Sequence, residues 1–184
     1  MTIRDIVIYP QNEDILRKES EPVRLVNRRV KKLIKDLRDT LLDRPDGVGL
    51  AAPQIGVHSR VVLVRLGGHD EADEDQAADL PIALINPEIV EADTEQKDFD
   101  GCLSLPGIFG ETVRPHRLRV TGLDEWGKPF DRTFEGFDAV VVHHEIDHLN
   151  GVLFIDRVDS VADLYRVKEN EKGELVRVPI QPAT

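Results

Sequence analysis

Two histidines four residues apart, with a glutamate directly after the first, stand in His144-Glu145-Ile146-Asp147-His148. On an α-helix, residues four apart share a face. His144 and His148 can therefore direct imidazole nitrogens at one metal ion. Glu145 is then placed to reach a water beside that ion without being a ligand, which is where metal-assisted hydrolysis needs an acid–base group. The competing reading is a pair of histidines on a solvated helix face. The apolar run Val140-Val141-Val142 before the motif and Leu149 after it favour the metal.

A catalytic site of the zinc type takes three protein ligands and leaves a fourth position open. No histidine follows His148, so the third ligand is a downstream acid (Asp156, Asp159, Asp163 or Glu169) or lies upstream. The upstream candidate is Cys102, within Asp100-Gly101-Cys102-Leu103-Ser104-Leu105-Pro106-Gly107. A lone cysteine is most often a small buried apolar residue. Between a glycine and a turn-rich stretch, however, its thiolate can be presented at a site. A third segment, Gly47-Val48-Gly49-Leu50-Ala51-Ala52-Pro53-Gln54-Ile55-Gly56, has paired glycines and alanines that let another backbone or an extended ligand approach closely. Taken alone, it reads best as a tight turn onto a sheet, because its G-x-G lacks the third glycine of a dinucleotide fingerprint.

The elements that must position these residues follow from the local patterns. Val26, Val30, Leu33, Ile34, Leu37 and Leu41 recur at helical spacing, and Pro45 and Gly47 end that helix. Arg60 to Leu66 is a β-branched run and predicts a strand. Pro81 to Ala92 predicts a strand broken at Asn86-Pro87. Arg117 to Leu123 and Pro129 to Phe134 predict a hairpin turning through Asp124-Glu125-Trp126-Gly127. Phe137 to Asn150 predicts a helix ended by Gly151, although Val140-Val141-Val142 is weak in helix propensity. Val152 to Val158 and Leu175 to Ile180 read as further strands, and the last few residues are expected to fray. Strands crowd the middle, with one helix before and one after. The fold class is thus α+β, with antiparallel strands packed around a central helix that carries the histidines, plus an N-terminal helix.

The chain of 184 residues suits one domain, 1–184. Residues 67–79, GGHDEADEDQAAD, are expected to be a mobile acidic loop, and 160–184 a variable tail. A net charge of -11 argues against bulk electrostatic binding to nucleic acid or anionic lipid. The single cysteine fits a reducing compartment. No stretch has transmembrane length and the N-terminus has no apolar core of signal-peptide length, so a cytoplasmic protein is expected.

Together, the segments GVGLAAPQIG, GCLSLPG and HEIDHLNG, in that order, closely resemble the three signature motifs of the peptide deformylases. The similarity also takes in Ile6-Val7-Ile8-Tyr9-Pro10, Ile85-Asn86-Pro87, Arg114-Pro115, Gly122-Leu123-Asp124 and Gly151-Val152-Leu153-Phe154-Ile155-Asp156. It thus spans roughly residues 6 to 156. The resemblance implies hydrolysis of the N-formyl group of N-formylmethionyl peptides, with nascent formylated polypeptides met near the ribosome as the partners. It implies Cys102, His144 and His148 as ligands of one divalent ion, Fe2+ in cells, with Zn2+, Ni2+ or Co2+ able to replace it. Glu145 would be the acid–base group, and Gln54 with the Leu103 N–H would serve the oxyanion. Gly49 would offer backbone hydrogen bonds to the peptide. Gly101, Val48, Val140 and Val141 would line the substrate pocket. Ordinary core packing is an equal account of the three valines.

Two positions depart from the family pattern. Asp100 stands where glutamate is common, and His143 where glutamine is common. The shorter acid, whose expected partner is Arg114, would loosen the cleft. His143 would stay off the metal and change the hydrogen bonds behind it. These departures leave a paralogue with altered substrate as the alternative. A different metallopeptidase is the rival, and the third ligand separates the two.

Overall fold

The structure is a computed structural model, and it describes residues 1–67, 80–170 and 173–180. The expectations for the acidic loop beyond Gly67 and for the last four residues fall outside the described part. The elements run α1 (Glu13–Leu16), α2 (Arg28–Leu42), β1 (Gly49–Ala51), β2 (Val61–Val64), β3 (Ile82–Gly101), β4 (Phe109–Leu123), β5 (Pro129–Glu135), α3 (Gly136–Leu149), β6 (Leu164–Glu169) and β7 (Leu175–Pro179). All strand pairs are antiparallel, in the order β1-β2-β3-β4-β6-β7. β5 shares the free edge of β4 with β6: it pairs with Arg117–Leu123, and β6 pairs with Phe109 and Gly110. The class is α+β.

β2 shows why its sequence is a continuous apolar run. Val61 and Leu63 pack towards Ile34, Leu37 and Leu41 of α2. Val62 and Val64 pack towards Ala139, Val142 and Ile146 of α3. A strand covered on both faces has no polar side to alternate with. The two helices reach this arrangement differently. α2 is amphipathic and starts at Asn27, whose Oδ1 accepts from the backbone N–H of Arg29 at 2.9 Å and Val30 at 3.2 Å. α3 is buried from Ala139 to Leu149 on every side. Packing therefore overrides the poor helix propensity of its three valines.

Three sequence expectations change. Asn86-Pro87 does not break its strand, because β3 continues for 20 residues through a register shift. Asn86 sits at φ +50° and its side-chain amide takes over the pairing, donating to Val23 O and accepting from Val23 N at 2.8 Å each. Val152 to Val158 is not a strand. Gly151, at φ +71°, turns the chain, and a single tight helical turn at Phe154–Asp156 buries Leu153 and Phe154 beside Leu16 and Leu105. Finally, the tail holds an additional strand, β6, which pairs with the expected β7. The hairpin at Asp124 forms as expected, with Asp124 Oδ1 accepting from the N–H groups of Trp126 and Lys128.

Candidate active-site cleft

α3 and β3 bring the chemistry together. His144 and His148 lie one turn apart on α3, their ring centroids separated by 4.9 Å. Cys102 follows the end of β3, and its Sγ lies 3.2 Å from His148 Nε2. One donor atom each from Cys102, His144 and His148 falls within 4.8 Å of the others. The downstream acids lie elsewhere. Asp156 pairs with Arg17 and accepts from the Leu153 N–H, while Asp159 and Asp163 lie near Lys97. Among the described residues this is the sole His/Cys/Asp/Glu group close enough to share an ion. Its donor set, one thiolate and two imidazoles, fits a catalytic transition-metal site with an open position.

A buried hydrogen-bond network stands behind His144. Asp100 Oδ1 accepts from His144 Nδ1 at 2.7 Å, which fixes the ring and turns Nε2 towards Cys102. Asp100 Oδ2 accepts from Arg114 Nε at 2.7 Å and from the Thr112 hydroxyl at 3.0 Å. The cleft is therefore not loosened by the shorter acid; Asp100 is buried with all its partners in place. Arg114 is itself buried and donates through Nη1 to Asp147 Oδ2 and to His143 Nδ1, each at 2.8 Å. Arg157 then closes a bidentate pair with Asp147, at 2.6 and 3.0 Å. His143 thus does join the network behind the donors. The involvement of Asp147 and Arg157 was not anticipated. One signal was available for Asp147: an acid inside a helix whose neighbours are all apolar or functional must be paired.

Glu145 faces a different environment. It is buried, and its Oε2 has no hydrogen-bond partner among the described residues. Burial pushes its carboxyl up to about 7. Asp100 goes the other way: burial opposes its charge, but His144 and Arg114 outweigh that and hold it well below the usual carboxylate range. Burial, joined by the His144 charge, keeps the His148 ring neutral by lowering its pKa. Burial likewise lowers His143, to about 4. Two acids of one site thereby stand in opposite environments: ion partners favour the charge of Asp100, whereas burial opposes that of Glu145.

The cleft has a volume of about 590 Å³. Val48, Gly49, Gln54, Gly101, Leu103, Val140 and Val141 all line it, together with Cys102, His144 and Glu145, whereas the buried His148 is not part of the lining. Gly49 is required there, since a Cβ on it would lie 2.3 Å from Glu145 Oε1. The first glycine-rich segment does form a turn, Ala52–Ile55, after β1. That turn holds the Gln54 amide in the cleft: its Oε1 accepts from the Ala51 N–H at 2.8 Å. Its Nε2 donates to Ser104 Oγ at 3.2 Å and points at Cys102 Sγ, 3.5 Å away.

The sequence model of the family described as polypeptide deformylase matches residues 3–163. The chain belongs to the polypeptide deformylase family. It is 44% identical over 156 residues to the peptide deformylase of Aquifex aeolicus, covering 85% of this chain and 88% of that one. It is 38% identical to peptide deformylase 1 of Bacillus subtilis, over 89% of this chain and 99% of the relative. The crystal structure of a peptide deformylase from Legionella pneumophila superposes with a TM-score of 0.74 at 40% identity, covering 87% and 88% of the two chains. The Ehrlichia chaffeensis peptide deformylase in complex with actinonin superposes at 0.77 with 36% identity, covering 87% and 91%. The family model's match ends at Asp163, just before β6.

Proposed function

We propose that this protein hydrolyses the N-formyl group of N-formylmethionyl peptides, releasing formate and a free N-terminal amine. The observation that carries this reading is the joint presence, in one cleft, of the Cys102/His144/His148 donor group and the buried Glu145 oxygen without a partner. The whole chain is read as one catalytic domain, acting in the cytoplasm on nascent formylated chains close to the ribosome.

Cys102, His144 and His148 would hold one divalent metal ion. Such an ion supplies Lewis acidity that makes water a nucleophile near neutral pH; ferrous iron is the expected occupant in cells, and Zn2+, Ni2+ or Co2+ fit the same donors. The chain's own residues do the rest. Glu145 accepts the proton of the attacking water at its carboxylate and delivers it to the departing amine nitrogen. The water oxygen bonds to the formyl carbon, the C–N bond breaks, and formate leaves. Negative charge that develops on the formyl oxygen is met by the Gln54 Nε2–H and the Leu103 backbone N–H. Gly49 offers its backbone to the extended peptide. Val48, Gly101, Val140 and Val141 shape an apolar pocket for the methionine side chain. The narrow space around Glu145 and Gly49 favours a formyl hydrogen over a larger acyl group.

Protein purified anaerobically with iron is expected to release formate from formyl-Met-Ala-Ser. Glu145→Ala should retain the metal and lose at least about 10²-fold in turnover. No formate from a fully metallated sample would refute the activity. Metal loss in the Glu145 variant would mean that this residue has been given the wrong role.

A further inference from the structure

The solvent face of α2 is charged against the trend of the molecule. The chain carries a net charge of -11, yet residues 24–38 hold seven cations and a single acid, Asp36. Arg28, Lys31, Lys32 and Lys35 recur at i, i+3, i+4 and i+7. They share one helix face, opposite the buried Val30, Ile34, Leu37 and Leu41. Arg24 and Arg29 flank that row and are exposed as well. The nearby acids are already engaged: Asp36 pairs with Lys32 at 2.7 Å, Asp39 with Lys35 at 2.5 Å and Glu125 with Arg38 at 3.0 Å. Arg24, Arg28, Arg29 and Lys31 make no ion pair among the described residues. The first turn of α2 holds no acid, so Arg28 and Arg29 stand at the positive end of its dipole, where cations cost helix stability. The fold gains nothing from them, because their side chains are neither buried nor bonded.

The tip of the β4–β5 hairpin adds an indole to this face. A Cβ on Gly127 would lie 3.5 Å from Val26 Cβ, and Glu125 holds Arg38. Trp126 stands between these two anchors on α2 and its approach, and it is 69% exposed. We infer that the exposed face of α2 and Trp126 form a docking surface for folded RNA, in which the cations take successive phosphates and the indole stacks on an unpaired base. The row from Arg28 to Lys35 is about 10 Å long, over which a nucleic-acid strand presents about three phosphates. The net charge argues against binding over the whole surface and leaves this patch as the place that attracts a polyanion. Loops and bulges of RNA supply the unpaired bases that aromatic side chains stack on. An acidic polypeptide supplies none. A membrane fits less well, because a helix lying on lipid buries its apolar face there, whereas that of α2 is buried in the core. The patch is remote from the cleft: Asp46 and Gly47 of the cleft follow the far end of α2, about 20 Å along the helix from Arg28. Docking there does not depend on the deformylase reading.

The test uses the full chain and a fluorescein-labelled RNA stem-loop with an unpaired loop. Anisotropy should give a Kd of about 10⁻⁵ M at physiological salt, with a log–log salt slope of about -3 to -5. Trp126 is the single tryptophan of the chain, so its emission should be quenched as the RNA binds. Arg28→Gln, Arg29→Gln and Lys31→Gln combined should weaken binding at least about tenfold and flatten the slope by about 3. Tm should stay the same or rise in that variant, because cations leave the positive end of the dipole. Trp126→Ala should lose about fivefold or more for the stem-loop and nothing for a blunt duplex without unpaired bases. Absence of salt-dependent binding, tryptophan emission that ignores bound RNA, or full affinity in the triple variant would overturn the surface. So would polyglutamate or phosphatidylserine vesicles that bind as tightly as the RNA.

Discussion

At the residue scale the behaviour of the site is decided behind the donors. Asp100 ties the sheet to the helix by holding His144 Nδ1 with one oxygen and Arg114 with the other. Arg114 is buried and in turn holds Asp147 and His143. Removing one member of such a pair leaves a charge in the interior without compensation, at a cost of about 3–5 kcal/mol. Asp100→Ala is therefore expected to lower the unfolding free energy of the metal-free protein by about that amount, read from urea denaturation. It should also weaken metal binding by about 10- to 100-fold, because His144 loses the acceptor that fixes its ring. An unchanged metal affinity would show that Asp100 serves the fold alone. How much of this was legible depended on the range of the contact. The donor histidines could be read directly, since helical periodicity makes i and i+4 neighbours. The choice between Cys102 and the downstream acids could not be made from spacing, because the turn after β3 brings Cys102 to α3 across more than 40 residues. The consequence of the shorter acid was misjudged for a similar reason: whether Asp100 reaches its partners depends on where β4 places Arg114 and Thr112.

At the element scale, the long β3–β4 ribbon supplies both Asp100 and its partners, so its register matters to the site. That register passes through the shift at Asn86 and Pro87. Sequence reading treats Asn-Pro as a break, since proline has no N–H for the ladder and limits the residue before it. The fold keeps the strand because asparagine tolerates the left-handed backbone and its side-chain amide can bond Val23 in both directions. Asn86→Ala loses both hydrogen bonds and keeps the unfavourable φ. It should destabilise by about 2–4 kcal/mol, measured by chemical denaturation. Asn86→Gly loses the same bonds but relieves the backbone, so it should fall between the wild type and Asn86→Ala. If the glycine variant were the less stable of the two, the strain argument would fail. The strand expected at Val152 to Val158 was mistaken for a related reason. Its apolar residues are buried against α1 and the segment after β3 rather than against a sheet face, and an apolar run alone does not distinguish these cases.

At the scale of the whole molecule, the donor group joins parts of the chain that otherwise pack into separate clusters. His148 and His144 belong to the helix that fills one side of the sheet, whereas Cys102 packs with the cluster of Leu16, Leu105, Leu153 and Phe154. An ion shared by the three donors would therefore link the helix to that smaller cluster. It would bind the folded chain and not the unfolded one, since the donors lie up to 46 residues apart in sequence. By mass action, free metal at about 100 times its Kd adds about 2.7 kcal/mol. For a chain of this size each kcal/mol moves the midpoint by about 2–4 °C. Chelation is thus expected to lower Tm by about 5–10 °C, and Co2+ or Zn2+ added in excess of the chelator should restore it. In Cys102→Ser the metal-dependent part of the shift should shrink to a small fraction, because the soft thiolate is lost from a site with three protein donors. An equal shift in that variant would mean the ion sits elsewhere. The argument also predicts where the stabilisation is felt. Amide exchange in α3 and around Leu153 and Phe154 should slow together on adding metal, whereas β6 and β7, which hold no donor, should exchange at unchanged rates.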